Sequence, residues 1–468
     1  MSYQTINPLT DEVLKTYPNH DAAYVEQALV KGDVLYKQWR NDPVASRGPV
    51  LNKVADLMAA QSDALAKILT VEMGKRFVEA QGEVALCISI ARYYAEHAAD
   101  FLKPEHIKSS IGTAQVISRP TGILMMVEPW NFPYYQIMRV FAPNFMVGNP
   151  MLLKHASNCP MAAEAFEKIV IAAGVPEGAF ANLYITYDQV NQIIADKRVQ
   201  GVALTGSERA GQLVAAEAGK NMKQSSLELG GSDPFIVLDD ANLSEIKKII
   251  SGARLFNAGQ VCTSSKRFIV TEKNYEQMLA MLKEAFAAVK LGDPMLSTTT
   301  LAPLSSSKAK QNLAQQVRAA VENGATLAFG SLAQNKPAAL FEPVILTNIT
   351  KENPAFYQEF FGPVGQIYRV PDEAAAIRLA NDSHYGLSGV VFGGSPEHAT
   401  EVASQLETGS VFVNSFGGTL PELPFGGVKN SGYGRELGRF GIETFVNKET
   451  IVTKHNPINL DDAFGGFV

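Results

Sequence analysis

The sequence predicts an α/β protein built on two mostly parallel sheets, and three observations point there. Short apolar runs alternate with helical stretches in two separate series, one before and one after Gly230-Gly231. The length of 468 residues exceeds one ordinary core and fits two or three units at roughly 100–200 residues each. A hydrophobic share of 46% with 19% charged residues is that of a globular chain able to cover both faces of such sheets.

The first hundred residues read as helices. Asp21 is placed to cap a helix running to Trp39, with Ala22, Val25, Leu29 and Val34 near one face. Val50, Leu51, Val54, Leu57 and Met58 repeat the pattern, and a third helix spans about Phe77 to Phe101. The period then changes. Thr113–Arg119 alternates like a strand, and Ile123–Val127 is a short apolar run ending at Glu128-Pro129. Met151–Lys154 precedes a helix across Ala162–Ala173, Asn182–Thr186 precedes another from about Gln189, and Gly201–Leu204 precedes a third starting near Ser207. Such alternation indicates a parallel sheet with helices on both faces. After Gly231, Phe235–Leu238, Arg267–Val270, Ser388–Phe392 and Ser410–Asn414 form the second strand series, and Asn447–His455 alternates like an edge strand.

Several classes of function are disfavoured at this level. The net charge is −6 and no Lys/Arg run appears, which speaks against nucleic acid and anionic membrane as partners. No apolar run approaches the ~18 residues of a spanning helix, and MSYQTINPLTDE lacks the basic and apolar regions of a signal peptide. Cys87, Cys159 and Cys262 make no CxxC pair and no metal-ligand cluster, so neither a disulfide framework nor a metal site is expected. Reduced thiols in a soluble cytoplasmic enzyme fit best.

Two short segments carry chemistry. Cys262 lies in GQVCT between small, flexible neighbours, and Glu228 lies in LELGG beside two glycines that let backbone and substrate come close. A thiol and a carboxylate on separate loops suit covalent catalysis followed by hydrolysis: the thiolate attacks and the carboxylate later activates water. Taken alone, Cys262 also fits a small core thiol, and Glu228 a surface charge. Asn131 in PWNFP fits a turn before Pro133. Gly206-Ser207 opens a helix, whose free N–H groups and partial positive charge suit a pyrophosphate, and Gly211 permits close packing. No GxGxxG fingerprint is present.

PWNFP, LKHAS, LTGSERAG, LELGG, GQVCT, EFFGPV and PFGGVKNSGYGRE stand in the order and spacing of aldehyde dehydrogenases, from about Asn7 to His455. The chain resembles that superfamily, and within it the short bacterial succinate-semialdehyde dehydrogenases most. The resemblance implies the aldehyde dehydrogenase fold. A Rossmann-like nucleotide-binding domain would comprise residues 1–103 and 121–230, and a catalytic domain residues 231–430. A small β oligomerisation arm with the C-terminal segment would take 104–120 and 431–468. It also implies Cys262 as nucleophile, Glu228 as base and Asn131, with the Cys262 backbone N–H, as oxyanion donor. For the cofactor, NADP or NAD, it implies Trp130 and Ser207 at the pyrophosphate, Lys154 and Glu359 at ribose hydroxyls, and Phe361 beside the nicotinamide ribose. A homodimer or homotetramer follows, with Thr113–Arg119 and Asn447–His455 as candidate pairing strands.

Departures from the family pattern sharpen these expectations. Ser157 stands in LKHAS where NAD-preferring relatives carry a Glu, so repulsion of a 2′-phosphate is absent while Lys154 remains to attract it. Arg139, on the helix after PWNFP, matches the arginine that binds the distal carboxylate in succinate-semialdehyde dehydrogenases. It stands roughly two turns on from Asn131, so the two side chains can face the same side. A solvent-facing or ion-paired Arg139 is the competing reading. Thr419 matches a substrate hydroxyl position in those relatives. Their second arginine is replaced by Phe256 and their extra cysteine by Ser264, so no redox switch of that kind is expected. The alternatives are a relative that accepts a neutral aldehyde, a coenzyme A-acylating relative, disfavoured because Glu228 is present, and a non-catalytic protein on this fold, disfavoured because Asn131, Glu228 and Cys262 are all intact.

Overall fold

The computed structural model describes residues 3–109 and 112–454; the expectations for His455 and for residues 456–468 lie outside them. Asp21 accepts the Tyr24 backbone N–H at 2.9 Å and caps the helix Ala22–Trp39. The next expected helix starts slightly early, as Gly48–Ala60, and Phe77–Phe101 follows the apolar periodicity throughout.

The first sheet holds six strands in the spatial order Gly432–Tyr433, Gln224–Glu228, Val199–Thr205, Ile123–Glu128, Met151–His155 and Phe180–Asn182. All neighbours are parallel except the first pair, which is antiparallel. Strand order reverses between Val199–Thr205 and Ile123–Glu128, the kind of switch point where a parallel sheet opens a crevice at its carboxyl ends. Residues such as Leu124, Met126, Leu153 and Ala203 are fully buried and face helices including Phe77–Phe101 and Pro133–Val147.

The second sheet holds seven strands: Thr326–Phe329, Val344–Thr347, Val364–Val370, Ser265–Thr271, Asp233–Val237, Ser388–Phe392 and Ser410–Val413. Only Thr326–Phe329 pairs antiparallel. Phe235, Ile236, Phe268, Ile269 and Val391 form its buried centre. Three of these strands, from Thr326, Val344 and Val364, escape the sequence reading because they are short or carry polar residues inside. Gln366, for example, is buried but accepts the Tyr368 hydroxyl at 2.8 Å.

Thr113–Pro120 and Val446–Thr453 pair with each other over their whole length, Val446 opposite Pro120 and Thr453 opposite Thr113, and Glu105–Lys108 adds a third strand. Gly432–Tyr433, assigned by the resemblance to the arm segment, instead edges the first sheet beside Glu228. Gly432 permits this: its φ is +109°, and a Cβ there would lie 2.0 Å from the Leu227 carbonyl oxygen. Among the described residues no helix is long and apolar enough to cross a membrane.

The start of the strand Ser410–Val413 is wedged against the loop that faces Glu228. A Cβ on Gly409 would lie 1.7 Å from the Gly426 carbonyl oxygen, backbone that cannot step aside. Gly409→Ala should therefore cost about 3 kcal/mol and lower the melting temperature; an unchanged melt would contradict this packing.

Candidate active site

Three adjacent strands of the first sheet end at one place, and each supplies a turn there. Ile123–Glu128 leads into Pro129, Trp130 and Asn131, Val199–Thr205 into Gly206 and Ser207, and Gln224–Glu228 into Leu229 and Gly230. The second sheet faces them with the loops that precede its strands: Cys262 comes just before Ser265–Thr271, and Glu359 and Phe361 before Val364–Val370. Together these residues line one hollow of about 290 Å³. Trp130, Asn131, Gly206, Ser207, Cys262, Glu359 and Phe361 are thus brought together as expected.

The Cys262 loop is a strained turn held from several sides. Asn257, Ala258 and Gly259 all have positive φ, at 52°, 53° and 73°. Asn257 Nδ2 donates to the Asn131 carbonyl at 2.9 Å, and Gln260 Oε1 accepts the Ser305 N–H at 2.9 Å. Arg254 is fully buried and donates to the carbonyls of Gly259, Phe360, Gly362 and Val364, so it ties this loop to EFFGPV. Lys266 Nζ donates to the Val261 and Cys262 carbonyls at 2.8 and 2.7 Å and pairs with Glu359 at 3.2 Å. Asn131 Nδ2 spends one proton on the Gln260 carbonyl at 3.2 Å and keeps a second. Cys262 is a free thiol, and burial pushes it up to about 12 against the pull of Lys266 and then Arg139.

Glu228 is almost completely buried, and neither carboxylate oxygen has a hydrogen-bond partner. Burial first, then the nearby Glu436 charge, holds its carboxyl well above the ordinary range, while Arg139 and Arg435 oppose the shift. Its main chain borders the cleft through Leu229 and Gly230, but its carboxylate does not line it. Gly426 lies so close that an added Cβ would meet Oε1 at 2.7 Å. Base chemistry at Cys262 therefore requires this side chain to turn toward the cleft.

Arg139 corrects the sequence reading. Its side chain is fully buried and ion-paired with Glu436, and its other nitrogens donate to Tyr135 Oη at 3.1 Å and Thr205 Oγ1 at 2.9 Å. Asn131 precedes the helix Pro133–Val147, so helical spacing does not relate the two side chains, and two buried acids, Glu128 and Glu436, lie near the guanidinium. An unpaired charge there would be costly, so the guanidinium faces the acids and not the cleft. Thr419 does line a hollow, a small one of about 40 Å³ that also touches Thr263, Ser410, Phe412 and Phe425.

On the other side, Ser207 caps the helix Glu208–Lys220 and accepts the Ala210 N–H. A slot of about 650 Å³ continues from Ser207, walled by Val127, Tyr187, Val190, Leu204 and Leu213. A mostly apolar slot beside a helix N-terminus suits a dinucleotide, with pyrophosphate at the N–H groups and adenine between the helices Tyr187–Ala195 and Glu208–Lys220. Lys154 stands 5.0 Å from the Tyr187 ring and donates to the His155 carbonyl, and burial lowers it to about 8. Ser157 is half-buried in the following turn, where its carbonyl accepts the Gln4 N–H.

Sequence reasoning missed Arg254, Asn257, Lys266, Glu128 and Glu436. A signal existed for two of them. Lys266 directly precedes Arg267 and the apolar run that follows, and Glu128 ends an apolar strand, so each charge is carried into a buried place.

The aldehyde dehydrogenase family model matches residues 1–451. The chain is 44% identical over 458 residues to the succinate-semialdehyde dehydrogenase [NADP(+)] of Deinococcus radiodurans, covering 97% of this chain and 96% of that one. It is 38% identical to the succinate semialdehyde dehydrogenase [NAD(P)+] Sad of Escherichia coli, over 96% of this chain and 97% of that one. The crystal structure of succinic semialdehyde dehydrogenase from Streptococcus pyogenes in complex with NADP+ superposes with a TM-score of 0.95 at 52% identity, covering 97% of this chain and 100% of that one.

The raised carboxyl and thiol fix the sign of a pH dependence. If both groups act in their deprotonated forms, turnover should rise with pH and be lost on acidification at a pH well above that at which an ordinary carboxylate protonates. A kcat that stays flat down to the ordinary carboxylate range would contradict the assignment.

Proposed function

The chain belongs to the aldehyde dehydrogenase family, and on that premise we propose that it oxidises succinic semialdehyde to succinate with NADP, accepting NAD as well. The observation that carries the reading is the shared hollow in which Cys262 and Asn131 face Gly206-Ser207, Glu359 and Phe361.

Cys262 adds to the aldehyde carbonyl as a thiolate and forms a thiohemiacetal. The developing alkoxide is received by the second Asn131 amide proton and the Cys262 backbone N–H; losing one such donor typically costs about 3 kcal/mol of transition-state stabilisation. A bound nicotinamide dinucleotide supplies the hydride acceptor. Phe361, which Trp130 meets edge-on at 5.6 Å, and Glu359, pinned by Lys266, support its nicotinamide end, and Trp130 the pyrophosphate. The helix cap at Ser207 supports the pyrophosphate. The acyl group is left as a thioester on Cys262. Glu228, turned toward the cleft, takes a proton from water, and the hydroxide releases the carboxylic acid and the thiolate.

Ser157 and Lys154 support the use of NADP. No carboxylate stands at Ser157 to repel a 2′-phosphate, and Lys154 is the nearby cation. For the substrate, Thr419 supports carboxylate recognition beyond Cys262. A second reading, a neutral aldehyde, draws on the Phe412 and Phe425 rings and on the turn of Arg139 away from the cleft. The reading extends to a cytoplasmic homodimer or homotetramer: three unbridged cysteines support the first part. The three-stranded sheet, which leaves Ile107 and Val452 about half exposed, supports the second.

Two measurements test it. A panel of short semialdehydes and neutral aldehydes, run with each cofactor, should give the highest kcat/KM for succinic semialdehyde with NADP; equal use of butanal would favour the neutral reading. Ser157→Glu should move the NADP/NAD ratio of kcat/KM toward NAD by about ten-fold or more through like-charge repulsion, and an unmoved ratio would remove Ser157 from cofactor choice.

A further inference from the structure

Lys266 is a fully buried cation that spends its ammonium protons on the Cys262 loop and on one acid. Its Nζ donates to the Val261 carbonyl at 2.8 Å and to the Cys262 carbonyl at 2.7 Å, and it pairs with Glu359 at 3.2 Å. The Val261 carbonyl belongs to the same planar peptide as the Cys262 N–H, so a donor that fixes the oxygen also fixes where that proton points. The Ser264 N–H donates to this oxygen as well, at 3.2 Å. The Cys262 N–H itself meets no acceptor among the described residues. Just upstream, Asn257, Ala258 and Gly259 have positive φ, strain that a released peptide would shed by turning over. A cation on a carbonyl oxygen also draws electrons out of the amide, which makes its N–H a stronger donor.

We propose that Lys266 is a positioning residue for the transition state: its ammonium locks and polarises the Val261–Cys262 peptide, so that the Cys262 N–H meets the developing alkoxide. This rests on the reading of that N–H as an alkoxide donor. Lys266 does not line the hollow and acts through the peptide alone. Glu359 balances its charge, so the ammonium stays buried behind the loop without being an unpaired ion.

The test compares kcat for succinic semialdehyde in Lys266→Met with the native enzyme, and in Lys266→Met/Glu359→Gln with Glu359→Gln alone. The second pair removes the acid that Lys266→Met would strand, and keeps the proposal open to refutation if the single variant folds poorly. In both pairs, loss of the ammonium should lower kcat by about ten-fold or more, with KM for the aldehyde little changed. Alkylation of Cys262 by iodoacetamide builds no alkoxide and should fall far less than kcat. The sequence holds a single Val-Cys peptide, so isotope labels on valine carbonyl carbon and cysteine nitrogen select it alone in NMR. Its signal should shift in the variants while the amides of Cys87 and Cys159 stay in place. Unchanged kcat in the Glu359→Gln background would overturn the proposal, because Lys266 would then only neutralise Glu359. An alkylation loss that matches the kcat loss would overturn it by placing the effect on the thiol, and an unshifted peptide signal would do so as well. An Asn131→Ala variant with native kcat would instead overturn the alkoxide reading itself, and this proposal with it.

Discussion

The two sheets meet at Gly230-Gly231, where Gly231 presses on backbone and Gly230 on a carboxylate, and the site depends on that contact. A Cβ on Gly231 would lie 2.5 Å from the Cys262 carbonyl oxygen, and one on Gly230 would lie 2.5 Å from Glu359 Oε2. The segment that ends the first sheet thereby sets the height of the nucleophile loop and of the EFFGPV loop together. Larger residues would push the thiol away from Asn131 and the Ser207 helix cap, and the shared hollow would open.

Charge is distributed around this seam so that each buried ion has a task. Lys266 neutralises Glu359 while holding the Cys262 carbonyl. Arg254 satisfies carbonyls of two loops that would otherwise be buried without partners. Arg139 serves Glu436, with Glu128 and Glu228 near enough to feel its charge. Glu228, like Glu128, has no donor to its oxygens, which suits a group that must leave its resting place and take a proton.

Much of this is legible in the chain, and the reason is local. Helix caps and strand runs depend on neighbours in sequence, so Asp21, Ser207 and the strands from Ile123, Val199 and Phe235 can be read from period and capping chemistry. The motifs also place Asn131, Cys262, Glu359 and Phe361, because each sits on a short turn next to a strand end. Arg139 shows where such reading stops. Its partner Glu436 lies far along the chain, and pairing across that distance leaves no periodic trace. Arg254 and Lys266 escape for the same reason: their work is done on backbone carbonyls of distant loops, which no residue pattern advertises. Gly432–Tyr433 joins the first sheet through a backbone conformation that only its register reveals.

The central claim is that an acyl group passes through Cys262 and leaves by water that Glu228 deprotonates. The most direct measurement is intact-protein and peptide mass spectrometry on Glu228→Gln after mixing with NADP and succinic semialdehyde. The account predicts one equivalent of reduced cofactor formed rapidly, with a succinyl group retained on the peptide that carries Cys262. Free succinate released at the native rate, or an acyl group found on any other residue, would contradict it.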